Sequence, residues 1–221
     1  MNYCYIKYNE AKNLLQEGDV LLFRRPNSFW SSLIRASGDS LYSHCALVSF
    51  TYGNSCNITN NEENDSIIEA IEIKEGVGGR TISLERYINT YDGQIDCFRP
   101  NSEHVRTYFD CSNRKLCQTV IKFNGRSVTN EMRRLTGVSY GWSRIWSMAM
   151  RSFVAWRYLF NSRDTFDDSV RSLYHFICSN AIAYCFSKNF VDLVHERSDE
   201  YVSPANLANS ILLDYIFTLE K

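Results

Sequence analysis

Proline is scarce in this chain. Pro26, Pro100 and Pro204 are the only three among 221 residues, so no Pro-rich linker divides it, and no internal repeat breaks it into units. An excess of one charge is missing as well: 24 Lys and Arg against 25 Asp and Glu give a formal net charge of −1. That balance supplies no overall drive toward nucleic acid or an anionic membrane, and no nucleic-acid partner is expected. No uncharged apolar stretch reaches the ~18 residues of a membrane-spanning helix. The start, Met1-Asn2-Tyr3-Cys4-Tyr5, has neither the basic nor the apolar region of a secretory leader, so the expected location is cytoplasmic. HExxH, paired CxxC spacing, a P-loop, a Rossmann glycine fingerprint and GxSxG are all absent, and no metal or cofactor is expected.

What is present is ordinary globular material, 44% hydrophobic and 22% charged, in a chain long enough to bury a substantial core. Its eight cysteines, Cys4, Cys45, Cys56, Cys97, Cys111, Cys117, Cys178 and Cys185, are scattered. A disulfide scaffold belongs to short secreted chains, so a reducing compartment is expected instead. Cys45, Cys97 and Cys185 lie in apolar runs and read as small core residues.

Periodicity gives the elements. Asn9–Glu17 reads as a short helix ended by Gly18, Asp19–Phe23 as a strand buried on both faces, Phe29–Arg35 as a helix and His44–Phe50 as a strand. The polar run Thr51–Asp65 reads as an exposed loop, Ile67–Ile73 as a strand, Ser83–Asn89 as a helix and Gln94–Phe98 as a strand. The spacing then predicts helices over Glu103–Phe123, Asn130–Leu135, Trp142–Phe160 and Ser172–Phe190. Ser203 caps a helix with Pro204 at its first position, and Ile211–Leu219 closes as a strand. The expectation is one α+β domain over residues 1–221: a mostly antiparallel sheet with packed helices and a helical insertion at about 103–170.

One cysteine stands apart. Cys178 precedes Ser179-Asn180-Ala181-Ile182-Ala183, the first turns of a buried helix, and a thiol at a helix N-terminus is favoured as thiolate. His44, in Tyr42-Ser43-His44-Cys45-Ala46, is the only histidine that begins an apolar strand. His175, three residues before Cys178, competes for the thiol if the helix extends through it, and is structural if the helix begins at Cys178. Ile67-Ile68-Glu69-Ala70-Ile71 carries a carboxylate that is costly to bury without a partner. Alternation places Glu69 with Ile67 and Ile71, and Glu72 with Ile68 and Ala70, so pattern alone does not choose between the two carboxylates. Nucleophile, base and a group that orients the base are the parts of an activated-thiol site. The alternative for Cys178 is an inert buried cysteine.

The order of landmarks adds a resemblance. Gly18-Asp19-Val20-Leu21-Leu22-Phe23-Arg24, Tyr42-Ser43-His44, Glu69-Ala70, Gly137-Val138-Ser139-Tyr140 and Cys178-Ser179 follow one another from about Gly18 to Leu207, nearly the whole chain. With the histidine ahead of the cysteine, this resembles the circularly permuted NlpC/P60 (papain-like) hydrolases, close to the YiiX/YaeF-like amidase group. The resemblance implies a permuted papain-like fold and a cysteine hydrolase, of amidase or peptidase type, that cleaves amides of peptides or cell-wall peptides through a thioester. It implies Cys178 as nucleophile, His44 as base, Glu69 as orienter and Tyr140 as a helper of the oxyanion. For Tyr140 the bland alternative is an aromatic packed under a turn. The chain departs from the family between Tyr140 and Cys178. There Trp142–Phe160 mixes aromatics, methionines and arginines and reads as a core or lid helix, or as a membrane-surface or acyl-binding helix. A lipid-directed thioesterase or acyltransferase of the lecithin:retinol acyltransferase-like kind is therefore the alternative within the same chemistry. A non-catalytic interaction module that kept the fold is the alternative outside it.

Overall fold

The computed structural model describes residues 3–24, 41–52, 66–110, 115–140, 177–195, 198–199 and 202–221. Expectations for Phe29–Arg35, Trp142–Phe160 and nearly all of Thr51–Asp65 fall outside these residues.

Strand β2 (Val20–Arg24) shows how the sheet is covered. Val20 and Leu22 belong to one hydrophobic cluster and Leu21 and Phe23 to another, all four fully buried. A continuous apolar run is what a strand needs when both of its faces are packed. Around it the sheet runs β1 (Tyr5–Lys7), β9 (Leu213–Glu220), β6 (Gln94–Pro100), β2, β3 (His44–Tyr52), β4 (Ser66–Lys74), β5 (Gly78–Ser83). Every pairing is antiparallel except β1 with β9.

Helices cover the two faces separately. On one face α1 (Tyr8–Ala11) and α2 (Leu84–Thr90) bury Ala11, Leu84, Tyr87 and Ile88 against Ala46, Val48, Ile68 and Ala70. On the other, α3 (Gly125–Arg134) and α4 (Cys178–Lys188) bury Val128, Met132, Ile182 and Phe186 against Cys45, Leu47, Ile71 and Ile73. Phe186 also stacks on Phe123 at 5.5 Å between ring centroids. A short α5 (Pro204–Ala208) follows, with the Ser203 hydroxyl accepting from the Asn206 backbone N–H.

Three expectations change. The helix read over Glu103–Phe123 is a β-hairpin, β7 (Glu103–Asp110) with β8 (Lys115–Lys122), in a sheet of its own. Its mixed polar and apolar spacing fits either period, and pairing between two segments is not visible in a single window. The helix expected over Asn9–Glu17 has only the four residues of α1, and the chain turns into β2 at Gly18, at φ +89°. The helix expected over Asn130–Leu135 begins earlier, at Gly125, with Asn124 as its cap.

Candidate active site

Cys178 is the first residue of α4. The sequence fixes that start locally: the Asn180 side-chain oxygen accepts from the Ile177 backbone N–H at 2.8 Å, the return half of a capping box. Ser179 ties the same turn to the core by donating to the Val202 carbonyl at 2.7 Å. Ala181 and Ala183 are fully or almost fully buried, and such small residues let the first turns press against the sheet. The helix therefore begins at the cysteine, and residues 172–176, including His175, fall outside the described residues.

Of the first two residues of β3, Cys45 shares the α4 face with Cys178, and His44 alternates onto the α2 face with Ala46. The His44 ring and the Cys178 sulfur act on each other electrostatically, the sulfur raising the histidine and the histidine lowering the thiol, and the ring lies 5.2 Å from the Phe23 ring. Its Nε2 sits 2.5 Å from Oε2 of Glu72. With Nε2 committed to the carboxylate, Nδ1 is the nitrogen left for sulfur. Cys45, the next residue, is buried in the same hydrophobic cluster as Cys178.

The carboxylate on the histidine is thus Glu72, and this corrects the expectation that Glu69 would orient it. Register supplies the reason. Leu47 pairs with Ile71, which sets Glu72 on the face of Ala46, Ile68 and Ala70 and toward α2. Glu69 pairs with Ser49 on the other face, five residues along β3 from His44, or roughly 17 Å of strand. There it accepts from Thr51 at 2.5 Å and from Arg133 of α3 at 2.9 Å.

Glu72 has no solvent exposure and four donor contacts. Besides His44, it receives the Tyr87 hydroxyl at 2.5 Å and the Arg80 guanidinium through Nε and a terminal nitrogen, each at 2.6 Å. Burial alone would raise its carboxyl, but the His44 charge and the His44, Tyr87 and Arg80 hydrogen bonds prevail and hold it at about 2. His44 responds in kind. Burial works against its charge, but the Cys178 sulfur and Glu72 together push it up to about 10. The Cys178 thiol is drawn well below its ordinary range, first by the hydrogen bond from the Cys45 thiol and, against burial, by the His44 charge. Burial and the neighbouring sulfur push Cys45 the other way. The directions of these shifts favour charge on all three groups: negative on Cys178 and Glu72, positive on His44.

Tyr140 packs at the edge of the cluster that holds Cys178. Burial, and after it the charge on Cys178, pushes its phenol up, so the hydroxyl remains a donor beside the thiolate. The segment that carries it is pinned to β5: Gly79 N–H donates to Val138 and Gly137 N–H donates to Gly79, both at 2.8 Å. A side chain at Gly79 would put its Cβ 2.0 Å from the Leu135 carbonyl, so only glycine permits this approach. Gly137 turns the chain at φ +86°. Of the other histidines, His195 is exposed and paired with Asp192 at 2.9 Å. Arg80 and Tyr87, which complete the carboxylate's surroundings, carry no sequence signal beyond being polar groups next to apolar runs.

No protein-family model matches the chain, and no curated protein matches it in sequence. A solved structure does. The crystal structure of the metalloprotein YiiX from Escherichia coli O157:H7 superposes with a TM-score of 0.54, covering 93% of this chain and 98% of that one. The chain has the YiiX fold. Sequence identity between the two is 12%. Among the described residues no helix is long and apolar enough to cross a membrane.

Proposed function

We propose that the protein is a cysteine hydrolase that cleaves amide bonds of peptide or cell-wall peptide type. The observation that carries this reading is the 2.5 Å pair between His44 and the buried Glu72, together with a cysteine that opens a buried helix and whose thiol the histidine lowers. The YiiX fold, shared over most of the chain, supports the NlpC/P60 resemblance and with it the permuted papain-like order, histidine first.

In this reading Cys178 attacks the carbonyl carbon of the scissile amide, and the N-terminal N–H groups of α4 receive the negative charge that grows on oxygen. Tyr140 is a further donor to that oxygen. The imidazolium of His44 then protonates the leaving amine, the C–N bond breaks, and a thioester joins the acyl group to Cys178. His44, now neutral, takes a proton from water, hydroxide adds to the thioester, and the thiolate is released. Glu72 holds the ring with Nδ1 toward sulfur and stabilises the imidazolium in both halves. Arg80 and Tyr87 act through Glu72 by keeping it ionised and fixed.

YiiX is described as a metalloprotein. Among the described residues of this chain no three His, Cys, Asp or Glu side chains converge on a point that could hold a metal. Glu72 is already engaged by Arg80 and Tyr87.

The test is to trap the acyl-enzyme. A library of peptide amides and activated acyl amides is incubated with the protein, which is then quenched in acid and examined by intact-mass and peptide mass spectrometry. A hydroxylamine-sensitive adduct on Cys178, absent from Cys178→Ser, is expected. If Cys178 forms no adduct and alkylates no faster than Cys4, the hydrolase reading fails.

A further inference from the structure

A second buried carboxylate stands on the opposite face of the sheet from Glu72, and none of the hydrolytic steps uses it. Asp96 of β6 has no solvent exposure. Leu22 pairs with Asp96 on one side and with Cys45 on the other, and paired residues share a face, so Asp96 lies in the layer that α4 covers. Its oxygens take three donors: the Tyr42 hydroxyl at 2.7 Å, Arg24 Nη2 at 2.7 Å and the Thr218 hydroxyl at 2.6 Å. Two of those donors flank the histidine. Arg24 ends β2, directly after the Phe23 that pairs with His44, and Tyr42 stands two residues before His44. Between them the Ser43 backbone N–H donates to the Phe23 carbonyl at 3.0 Å. The Tyr42 ring is buried in the cluster that holds Cys178 and meets Phe98 edge-on at 6.1 Å. The Arg24 guanidinium lies 4.2 Å from the centre of the Tyr3 ring.

This end of β3 needs holding. Its ladder with β4 begins at Leu47, so His44, Cys45 and Ala46 are paired with β2 alone. Glu72 fixes the His44 ring from the α2 face but not the backbone that carries the ring. We propose that Asp96 and Tyr42 are positioning residues for His44: their hydrogen bond clamps the chain where it enters β3 and so sets where the imidazole stands relative to Cys178. The inference rests on the hydrolase reading, since it concerns the base of that same site. A carboxylate suits the task because its hydrogen bonds are directional. An apolar residue at position 96 would fill the layer and hold Tyr42 by contact alone. Arg24 and Thr218 fix the Asp96 side chain, and Tyr42 carries the constraint into the backbone. Burial, and after it the bond to Asp96, pushes the Tyr42 phenol up, so the hydroxyl keeps its proton and donates. The demand is for precision, because a base displaced by a fraction of an ångström loses much of its effect on the thiol.

The test compares two deletions of one hydrogen bond each to the same carboxylate, in the full chain. Tyr42→Phe removes the donor at the entry to β3, and Thr218→Val removes the donor on β9. Iodoacetamide labelling of Cys178 is followed by peptide mass spectrometry over about pH 5–9, with urea unfolding as the measure of stability. Both variants are expected to lose stability, but only Tyr42→Phe to move the labelling midpoint upward. The expected move is about half a pH unit or more, a roughly threefold loss of rate on the acid side of the midpoint. Asp96→Asn, which leaves one acceptor oxygen for three donors, is expected to move the midpoint the same way and supplies the reading should Tyr42→Phe fail to fold. A wild-type midpoint in Tyr42→Phe or, failing that variant, in Asp96→Asn overturns the inference and leaves the hydrolase reading standing; so does a shift as large in Thr218→Val. Wild-type Cys178 that labels no faster than the exposed Cys4 overturns both.

Discussion

Glu69 and Glu72 stand three residues apart on one strand and live in different chemical worlds. Glu69 faces α3 at the margin, with 21% of its side chain exposed, and shares Arg133 and Thr51 in a patch that water can enter. Glu72 faces α2 with nothing exposed and spends both oxygens on Tyr87, Arg80 and His44. The first is a partly solvated ion pair of the kind that contributes little. The second is a buried charge whose desolvation is offset only because every acceptor site is occupied, and that is the condition under which a carboxylate can govern a histidine. The same side chain is a staple on one face of the sheet and an electrostatic anchor on the other.

The contrast can be broken most sharply by deletion. Glu72→Ala removes the buried anion and leaves the partly exposed Arg80 and His44 without it; losing one partner of a fully buried ion pair costs on the order of 3–5 kcal/mol, and this loss is expected to approach that range. Urea unfolding at neutral pH is expected to show that loss for Glu72→Ala and not for Glu69→Ala; equal losses would erase the distinction drawn here.

Acid sharpens it next. Folding lowers the Glu72 carboxyl from 4.5 to about 2. A group depressed in this way contributes stability that is present above 4.5 and is lost as pH falls toward 2. The full shift corresponds to roughly 3 kcal/mol. Stability of the wild type is therefore expected to drop across that window. Glu72→Gln, less stable at pH 7, is expected to follow a flatter profile there, measured by chemical unfolding at a series of pH values. Profiles that run parallel in the two proteins would place the acid sensitivity elsewhere.

The third effect is kinetic. If the thiolate depends on the partner that Glu72 holds, His44→Ala is expected to slow iodoacetamide labelling of Cys178 at about pH 6 by on the order of 100-fold, because an unassisted thiol is almost wholly protonated there. Glu72→Gln is expected to fall between the two. A rate unchanged in His44→Ala would leave the Cys45 hydrogen bond as the main support of the thiolate. The smallest effect belongs to the other carboxylate: Glu69→Gln is expected to change stability by less than about 1 kcal/mol and to leave Cys178 labelling at the wild-type rate. A marked loss of labelling would reveal coupling through β4.

Much of the fold is legible in the chain because each signal is local. The unbroken apolar run Val20–Phe23 is a strand packed on both faces, Ser83 precedes the helix at Leu84, and Ser203 with Pro204 opens another. Cys178 ahead of a run of small residues starts a buried helix for the same reason. The hairpin at Glu103–Lys122 was hidden because its stability comes from pairing two segments, and neither segment shows a period that excludes a helix. Cys45 read as core, and it is buried, in the cluster that α4 covers.

By itself the sequence determined the helix that presents the thiol, the strand that begins with the histidine, and the presence of two carboxylates on opposite faces of a third segment. Capping, alternation and apolar runs act over a few residues, so those features are written in adjacent side chains. The choice between Glu69 and Glu72 was decided only by tertiary structure, through the register in which Leu47 meets Ile71. A strand alternates with period two, so one step of register exchanges its faces, and no local pattern in β4 records which face β3 brings its histidine to.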